Sequence, residues 1–281
     1  MNVKTFFLDG HGECEVWELP KIAPSKQRQY YDPESYIHPA KMDVFLCRKI
    51  IKTYTQENEL ILDPMAGIGT TLIEGALLGR NTIGVELEEK FVRITQKNIE
   101  RLEKLRTLSP KGKAEIIQGD ARELSKLLTE KADSIVFSPP FERTLARENP
   151  NRRRGYWRGS GGYQSGRGTE DYGRSDGNIG NLKKETYLSA MLKVYSECYK
   201  VLKLGGRMVV VVKDFIRNKR VVRLDLDTKR LCEMAGFRWV ETKLFRLPFK
   251  SFWRILYERK YGHEVENLNL LNYEFVEVFR K

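Results

Sequence analysis

The sequence predicts an α/β fold with a parallel sheet, and three observations predict it. From about residue 41 onward, short apolar strands alternate with amphipathic helices. Those strands close on polar residues: Asp63, Glu86, Asp120 and Ser138 in turn. At 281 residues with a 41% hydrophobic fraction, the chain is long enough for one large domain with small appendages. Such alternation implies crossover connections between parallel strands. Ligands of these sheets gather at the carboxyl ends of the strands, which is where the four polar residues fall.

Residues 1–37 are an N-terminal extension. Its first 30 residues show no clear period, and Lys21, Lys26 and Arg28 around Pro20 and Pro24 suit a surface segment. Val44, Phe45, Leu46, Ile50 and Ile51 then recur at helical spacing within 41–54. A strand over 59–63 leads into a glycine-bearing turn, Pro64 to Gly69, and a helix from Thr70 that Gly79 stops. A second strand covers 82–86, a helix of mixed charge 90–105, a third strand 114–117 and a fourth 134–137. Over 142–184 Gly, Arg and Tyr dominate and aliphatic residues nearly vanish, which marks an insert. The core resumes with a helix over 186–202, a turn at 203–206, a buried-type strand over 207–213 and a helix over 226–235. The final strands are expected over 237–245 and 273–279. Residues 38–281 thus read as one domain carrying the insert.

Charge and cysteine usage narrow the function classes. Lys plus Arg number 50 against 38 Asp plus Glu, a formal charge of +12. That excess attracts polyanions, nucleic acid before anionic membrane. No apolar run approaches the roughly 20 residues needed to span a bilayer, and the start MNVKTFFLDG reaches Asp9 before any long apolar segment, unlike a signal peptide. Cys14, Cys47, Cys198 and Cys232 form no C-x-x-C pair, so neither zinc nor a disulfide framework is expected, and a cytoplasmic setting fits. The charged fraction of 31% is like that of thermophile proteins.

The turn after the first core strand needs small residues so that backbone can approach a ligand. Gly67-Ile68-Gly69 is followed by Thr70-Thr71-Leu72, so the dinucleotide fingerprint is incomplete, and no G-K-[ST] makes a phosphate loop. Glu86, about twenty residues on, is placed to accept both hydroxyls of a ribose. Asp120 reads equally as a helix N-cap for the segment starting at Ala121, and Ser138-Pro139-Pro140-Phe141 is a stiff turn after a strand.

Together, Asp63-Pro64-Met65-Ala66-Gly67-Ile68-Gly69-Thr70-Thr71, Glu86, Asp120 and Ser138-Pro139-Pro140-Phe141 resemble the amino-methyltransferases of DNA and RNA. The likeness runs from about His38 to the C-terminus. His38-Pro39-Ala40-Lys41-Met42 is similar to that family's N-terminal cofactor motif, although His38 also reads as a surface histidine and Lys41-Met42 as a helix start. The resemblance implies a Rossmann-like, seven-stranded class I methyltransferase fold and S-adenosylmethionine as cofactor, with S-adenosylhomocysteine as product. The implied cofactor contacts are His38, Pro39, Lys41, Met42, then Asp63, Pro64, Met65, Ala66, Gly67, Gly69, Thr70 and Thr71 of the loop, and Glu86, Leu87, Gly119, Asp120, Ala121 and Ser138, with Asp120 accepting from the adenine amino group.

The catalytic expectation falls on Ser138, Pro139, Pro140 and Phe141. An exocyclic base amine is a poor nucleophile because its lone pair is delocalised into the ring. Ser138 Oγ and the Pro139 carbonyl can accept its N–H groups and turn the nitrogen toward tetrahedral geometry. Phe141 offers a face for stacking and for the positive charge that develops. Positioning and electrostatics then carry most of the work, and no strong general base is required. Within the family, Ser at the first position of this motif resembles cytosine-N4 enzymes; Asp or Asn there is more usual for adenine N6 or guanine N2.

In the insert, Arg143, Arg147, Arg152, Arg153, Arg154, Arg158, Arg167 and Arg174 alternate with Tyr156, Trp157, Tyr163 and Tyr172. Arginines contact phosphate and aromatics stack on unpaired bases. The expected partner is nucleic acid. RNA, and ribosomal RNA in particular, is favoured, because a short flexible segment suits irregular RNA better than duplex DNA. A cytosine-N4 DNA methyltransferase, orphan or of restriction-modification type, is the alternative enzyme. A non-catalytic nucleic-acid binder with a cofactor fold is the alternative class. Target position, mono- versus dimethylation and oligomeric state stay open.

Overall fold

The computed structural model describes residues 4–20, 22, 24–38, 40–107, 109–140, 173, 175, 177–182, 184–247, 255, 258–260, 262 and 265–281. The chain opens with strands β1 (Thr5–Leu8) and β2 (Gly12–Trp17) and a single turn α1 (Pro24–Gln27). Helix α2 (Val44–Tyr54) leads to β3 (Leu60–Asp63), α3 (Thr70–Leu77), β4 (Asn81–Glu86), α4 (Glu89–Lys104) and β5 (Ala114–Gln118). A short α5 (Leu124–Leu127) precedes β6 (Ala132–Phe137). After the insert come α6 (Lys184–Val201), β7 (Leu202–Val212), the small strands β8 (Phe215–Arg217) and β9 (Arg220–Val222), α7 (Leu224–Met234), β10 (Arg238–Arg246) and β11 (Tyr273–Arg280).

One sheet organises the molecule, in the order β1-β2-β10-β11-β7-β6-β3-β4-β5. Strands β5, β4, β3, β6 and β7 are parallel, while β11 runs antiparallel between β7 and β10. The expected parallel core is therefore present. Seven of the nine strands, β10-β11-β7-β6-β3-β4-β5, come from residues 38–281, as expected; the other two come from the extension, which is not the loose surface segment expected. Its hairpin pairs Phe6 with Cys14 and lays β2 parallel to β10, with Val16 beside Leu244. Periodicity missed this because the strands are short and interrupted by Gly10 and Gly12, both with positive φ. Polar contacts lock the hairpin down: His11, fully buried, meets Asp225 Oδ2 at 3.1 Å and Thr242 Oγ1 at 3.0 Å.

The two faces of β7 show why its run of valines is buried on both sides. Val209 and Val211 pack with Leu46, Ile50 and Ile51 of α2. Met208, Val210 and Val212 pack with Tyr187, Tyr195 and Cys198 of α6. Alternate residues of a strand point to opposite faces, so a central strand covered by helices is apolar throughout. The turn expected at 203–206 is an excursion within β7. Ala132 pairs with Leu202 and Ser134 with Arg207, so the intervening residues bulge out, and Gly205 takes φ +79° there. Among the described residues, no helix is long and apolar enough to cross a membrane.

Candidate active site

A cavity of about 390 Å³ lies at the carboxyl ends of β3, β4 and β6. That is within the range of small-molecule sites. Asp63, Pro64, Met65, Ala66 and Gly67 line it from the first turn, with Thr70 and Thr71 at the start of α3. Glu86 and Leu87 line it from the end of β4, and Gly119, Asp120 and Ala121 from the end of β5. Ser138, Pro139 and Pro140 follow β6, and His38, Lys41 and Met42 close it from the N-terminal side. Segments a hundred residues and more apart in sequence thus meet in one space. Pro39, Phe141, Arg143, Arg147, Arg152, Arg153, Arg154, Tyr156, Trp157, Arg158, Tyr163, Arg167, Tyr172 and Arg174 lie outside the described residues.

The glycine turn is held by its neighbours. Gly67 and Gly69 take φ +54° and +77°, a region only glycine enters freely. Thr95 Oγ1 donates to the Gly67 carbonyl at 2.9 Å, and Asn98 Nδ2 to the Ile68 carbonyl at 2.8 Å, so α4 fixes the turn from behind. A Cβ on Gly67 would meet His38 Nε2 at 3.0 Å, and one on Gly69 would meet Thr95 Cγ2 at 2.6 Å. Gly69 itself is not among the residues that line the cavity. It is the N-cap of α3, and its left-handed φ turns the chain into that helix.

The acids differ in environment. Asp63 is 4% exposed, and burial pushes its carboxyl up to about 7 against the opposing hydrogen bonds from Thr71 and the Met65 amide. Burial also raises Glu86 to about 7, although it accepts the amides of Gly67 at 2.8 Å and Glu88 at 2.9 Å. Both are carboxylates short of water and facing a cavity, which favours polar ligand groups that donate hydrogen bonds. Asp120 is the N-cap anticipated, accepting the Arg122 amide at 2.9 Å. It also pairs with the Arg122 guanidinium, which outweighs burial and holds its carboxyl low. It lines the cavity while serving both contacts.

His38 is half-buried and packs against Phe91, ring centroids 4.4 Å apart. Burial, aided by Lys41, lowers it to about 3, so it is neutral at pH 7. The Ala40 amide donates to its Nδ1 at 3.3 Å, which leaves the proton on Nε2 toward the glycine turn. Lys41 donates to the His38 carbonyl at 2.6 Å and is lowered by burial to about 8. The segment is built into the cavity wall, and the surface reading of His38 is set aside.

Ser138 is held in a definite orientation. Its hydroxyl donates to the Val211 carbonyl at 2.9 Å. With the proton directed into the sheet, Oγ turns its lone pairs to the cavity and can act there only as an acceptor. Tyr187 on α6 donates to the Pro140 carbonyl at 2.9 Å and fixes the two-proline turn from below.

Sequence reasoning missed several residues of the wall. Gln27 and Arg28 come from the extension: Gln27 donates to Asp43 at 2.7 Å, and Arg28 donates to the Met42 carbonyl. Gly177, Asn178 and Ile179, at the end of the insert, also line the cavity. They are tied to Glu88, which accepts Asn178 Nδ2 at 2.6 Å and Ser175 Oγ at 2.9 Å, and Arg122 donates to the Gly177 carbonyl at 3.1 Å. Lys213, Phe245, Leu247 and Glu274 complete the far end. The +12 charge and the Asn178 following the glycines carried no signal that would have placed these residues here.

Comparison with known proteins agrees with this arrangement. Residues 9–97 match the family model described as DNA methylase, of the N6/N4 type. The Type II methyltransferase M2.MboI of Moraxella bovis is 37% identical over 83 residues, 30% of this chain and 28% of that protein. A tRNA (guanine(10)-N2)-dimethyltransferase of Methanothermobacter thermautotrophicus is 31% identical over 107 residues, 38% of this chain and 29% of that protein. The chain thus spans less than a third of the length of these curated relatives. Among solved structures, TrmN from Thermus thermophilus superposes with a TM-score of 0.52 at 15% identity, covering 91% of this chain and 53% of that one. The fold is the Rossmann-like class I methyltransferase fold with an additional insertion. The cavity fits that fold's cofactor, S-adenosylmethionine: a glycine turn a Cβ would obstruct, two strand-end carboxylates that face it, and a volume of suitable size.

Proposed function

We propose that the protein is an S-adenosylmethionine-dependent methyltransferase that modifies the exocyclic N4 amine of cytosine in a nucleic acid. The observation that carries this is Ser138, whose Oγ is presented as an acceptor in the same cavity as Asp63 and Glu86. Glu86 would take the ribose hydroxyls, Asp63 the cationic end and Asp120 the adenine amine; bound there, S-adenosylmethionine supplies an activated methyl group. Ser138 Oγ accepts one N–H of the base amine and draws the nitrogen lone pair out of conjugation. The Pro139 carbonyl is the second candidate acceptor, fixed by the stiffness of the proline turn. The proline turn and the buried wall hold the amine in place and exclude water, which is where such a site does most of its work.

Two observations bear on the polymer, and they point different ways. The family model is described as DNA methylase, and a Type II methyltransferase has the higher identity of the two relatives; these support DNA. The tRNA-modifying relative matches over a longer stretch, and the Arg/Gly/Tyr composition of the insert suits unpaired RNA; these support RNA, ribosomal RNA included. The similarities give DNA the larger support, and RNA is the second reading. The experiment is incubation of the protein with methyl-labelled S-adenosylmethionine and either total RNA or genomic DNA. Label in one polymer assigns it, and label in neither, with cofactor bound, contradicts the enzymatic reading.

A further inference from the structure

The N-terminal extension places an arginine inside the protein. Arg28 is 2% exposed and lines the cavity. Its guanidinium donates to the Met42 carbonyl, and its Cζ lies 5.9 Å from the centre of the Tyr31 ring. Its Nε–H has no hydrogen-bond partner, and among the described residues no carboxylate pairs with it. A guanidinium keeps its proton in proteins, and a charge withdrawn from water without a counter-ion is costly. The carboxylates around it are engaged elsewhere. Asp43 accepts Gln27 and the amides of Phe45 and Leu46, and Glu74 accepts Arg48 and Tyr31.

A second cation lines the same cavity. Lys41 donates to two backbone carbonyls, those of His38 and Tyr36, and to no carboxylate. Burial lowers its ammonium to about 8, and repulsion from Arg28 adds to the fall, so the two positive charges stand near each other. Asp63 is close by as well. Burial raises the Cys47 thiol, Glu74 and Asp63 add to the rise, and Thr71 and Arg28 oppose it, so Asp63 and Arg28 act on one group. This part of the wall thus sets an uncompensated cation beside a carboxylate. Its complement is a ligand group that carries an anion and a cation together. The amino-acid end of S-adenosylmethionine is such a group, with a carboxylate and an ammonium on one carbon, whereas its adenosine end carries neither.

We infer that Arg28 binds the α-carboxylate of the cofactor through its unpartnered Nε–H, with Lys41 as a second donor. This rests on the cofactor reading above and does not depend on which base amine is methylated. The test is calorimetric binding of three ligands to the full chain. They are S-adenosylhomocysteine, its decarboxylated analogue, and 5′-methylthioadenosine, which lacks the whole amino-acid end. The wild-type chain should prefer S-adenosylhomocysteine to the decarboxylated analogue by about tenfold to a hundredfold, the worth of hydrogen bonds between charged groups. Arg28→Met should cut that preference to about threefold or less while 5′-methylthioadenosine affinity stays within about twofold of wild type, since separate parts of a site contribute independently. Arg28→Lys keeps the charge without the planar fork and should retain an intermediate preference; it carries the test if Arg28→Met does not fold. Absence of the preference in the wild-type chain, its persistence in Arg28→Met, or an equal loss for all three ligands overturns the inference. Backbone phosphate is the other source of anionic oxygens. If Arg28→Met leaves the preference intact and instead lowers the salt slope of oligonucleotide binding by about one, the guanidinium serves phosphate and the inference falls. A wild-type chain that binds none of the three ligands removes the cofactor reading as well, whereas equal binding of S-adenosylhomocysteine and its decarboxylated analogue removes the inference alone.

Discussion

The two ends of the cavity are built in different ways. The cofactor end is assembled from consecutive parallel strands, each closing on a residue that faces the same space: Asp63, Glu86 and Asp120. The acceptor end is gathered from β6, β7, β10 and β11, where antiparallel pairing brings Ser138, Lys213, Phe245 and Glu274 together from positions more than a hundred residues apart. In the first, position along the sheet follows position along the chain, so a shared cofactor site is written into local motifs. In the second, neighbours are set by strand order. That end is where an enzyme of this fold is free to change its acceptor without disturbing the cofactor.

The largest expected effect breaks the two ends apart. Ser138→Ala should lower turnover by about 10²–10³-fold, the scale seen for a single preorganised hydrogen-bonding group, while S-adenosylhomocysteine affinity stays close to wild type. Equal loss of both would mean that Ser138 belongs to the cofactor end. Glu86→Gln should do the reverse, weakening S-adenosylhomocysteine by about tenfold through loss of a charge-assisted hydrogen bond. Calorimetric titration separates the two variants.

The acidity of the cofactor end sharpens the contrast. Glu86 is raised from an ordinary 4.5 to about 7, so burial favours its protonated form in the free protein. Ribose hydroxyls donate to the ionised form. Cofactor affinity should therefore fall as pH drops through 7, by about tenfold between pH 8 and pH 6, with proton release on binding. Asp63 titrates in the same window and adds to the slope. Glu86→Gln should remove its own share, leaving a shallower profile; an unchanged profile would contradict the assignment.

The smallest expected effect concerns the strap that ends the insert. Glu88→Ala removes the acceptor for Ser175 and Asn178, which hold Gly177 to Ile179 against the cavity. With the wall untied and the glycine turn intact, S-adenosylhomocysteine affinity should fall only about threefold to tenfold, the worth of a hydrogen bond or so. Wild-type affinity would show that the strap does not hold cofactor.

How much of this was legible in the sequence follows the same division. The parallel core could be read because each apolar run ends on an acid and is followed by a helical period, as at Leu62-Asp63 and Val85-Glu86. Ser138 could be read because Ser138-Pro139-Pro140-Phe141, after a strand and downstream of three acids, resembles the catalytic motif of the amino-methyltransferases; the turn alone would have read as a rigid loop. The hairpin of residues 5–17 could not, because its two short strands acquire meaning only beside Leu244 and Phe245. Gln27 and Arg28 stand in a segment without period, and tertiary packing alone brings them to the cavity. Lys213 and Glu274 each end or begin an apolar strand, where a solvated charge is the ordinary expectation; only the β7–β11 register places them together. Gly69, within the same motif, has a structural task the motif did not announce: its left-handed φ turns the chain into α3.

The central claim is the identity of the methylated atom. Mass spectrometry of nucleosides, from nucleic acid treated with the wild-type chain and with Ser138→Ala, tests it directly. The account expects N4-methylated cytosine in the first sample and none above background in the second. A methyl group on adenine N6, guanine N2 or a ring carbon, or equal product with Ser138→Ala, would contradict it.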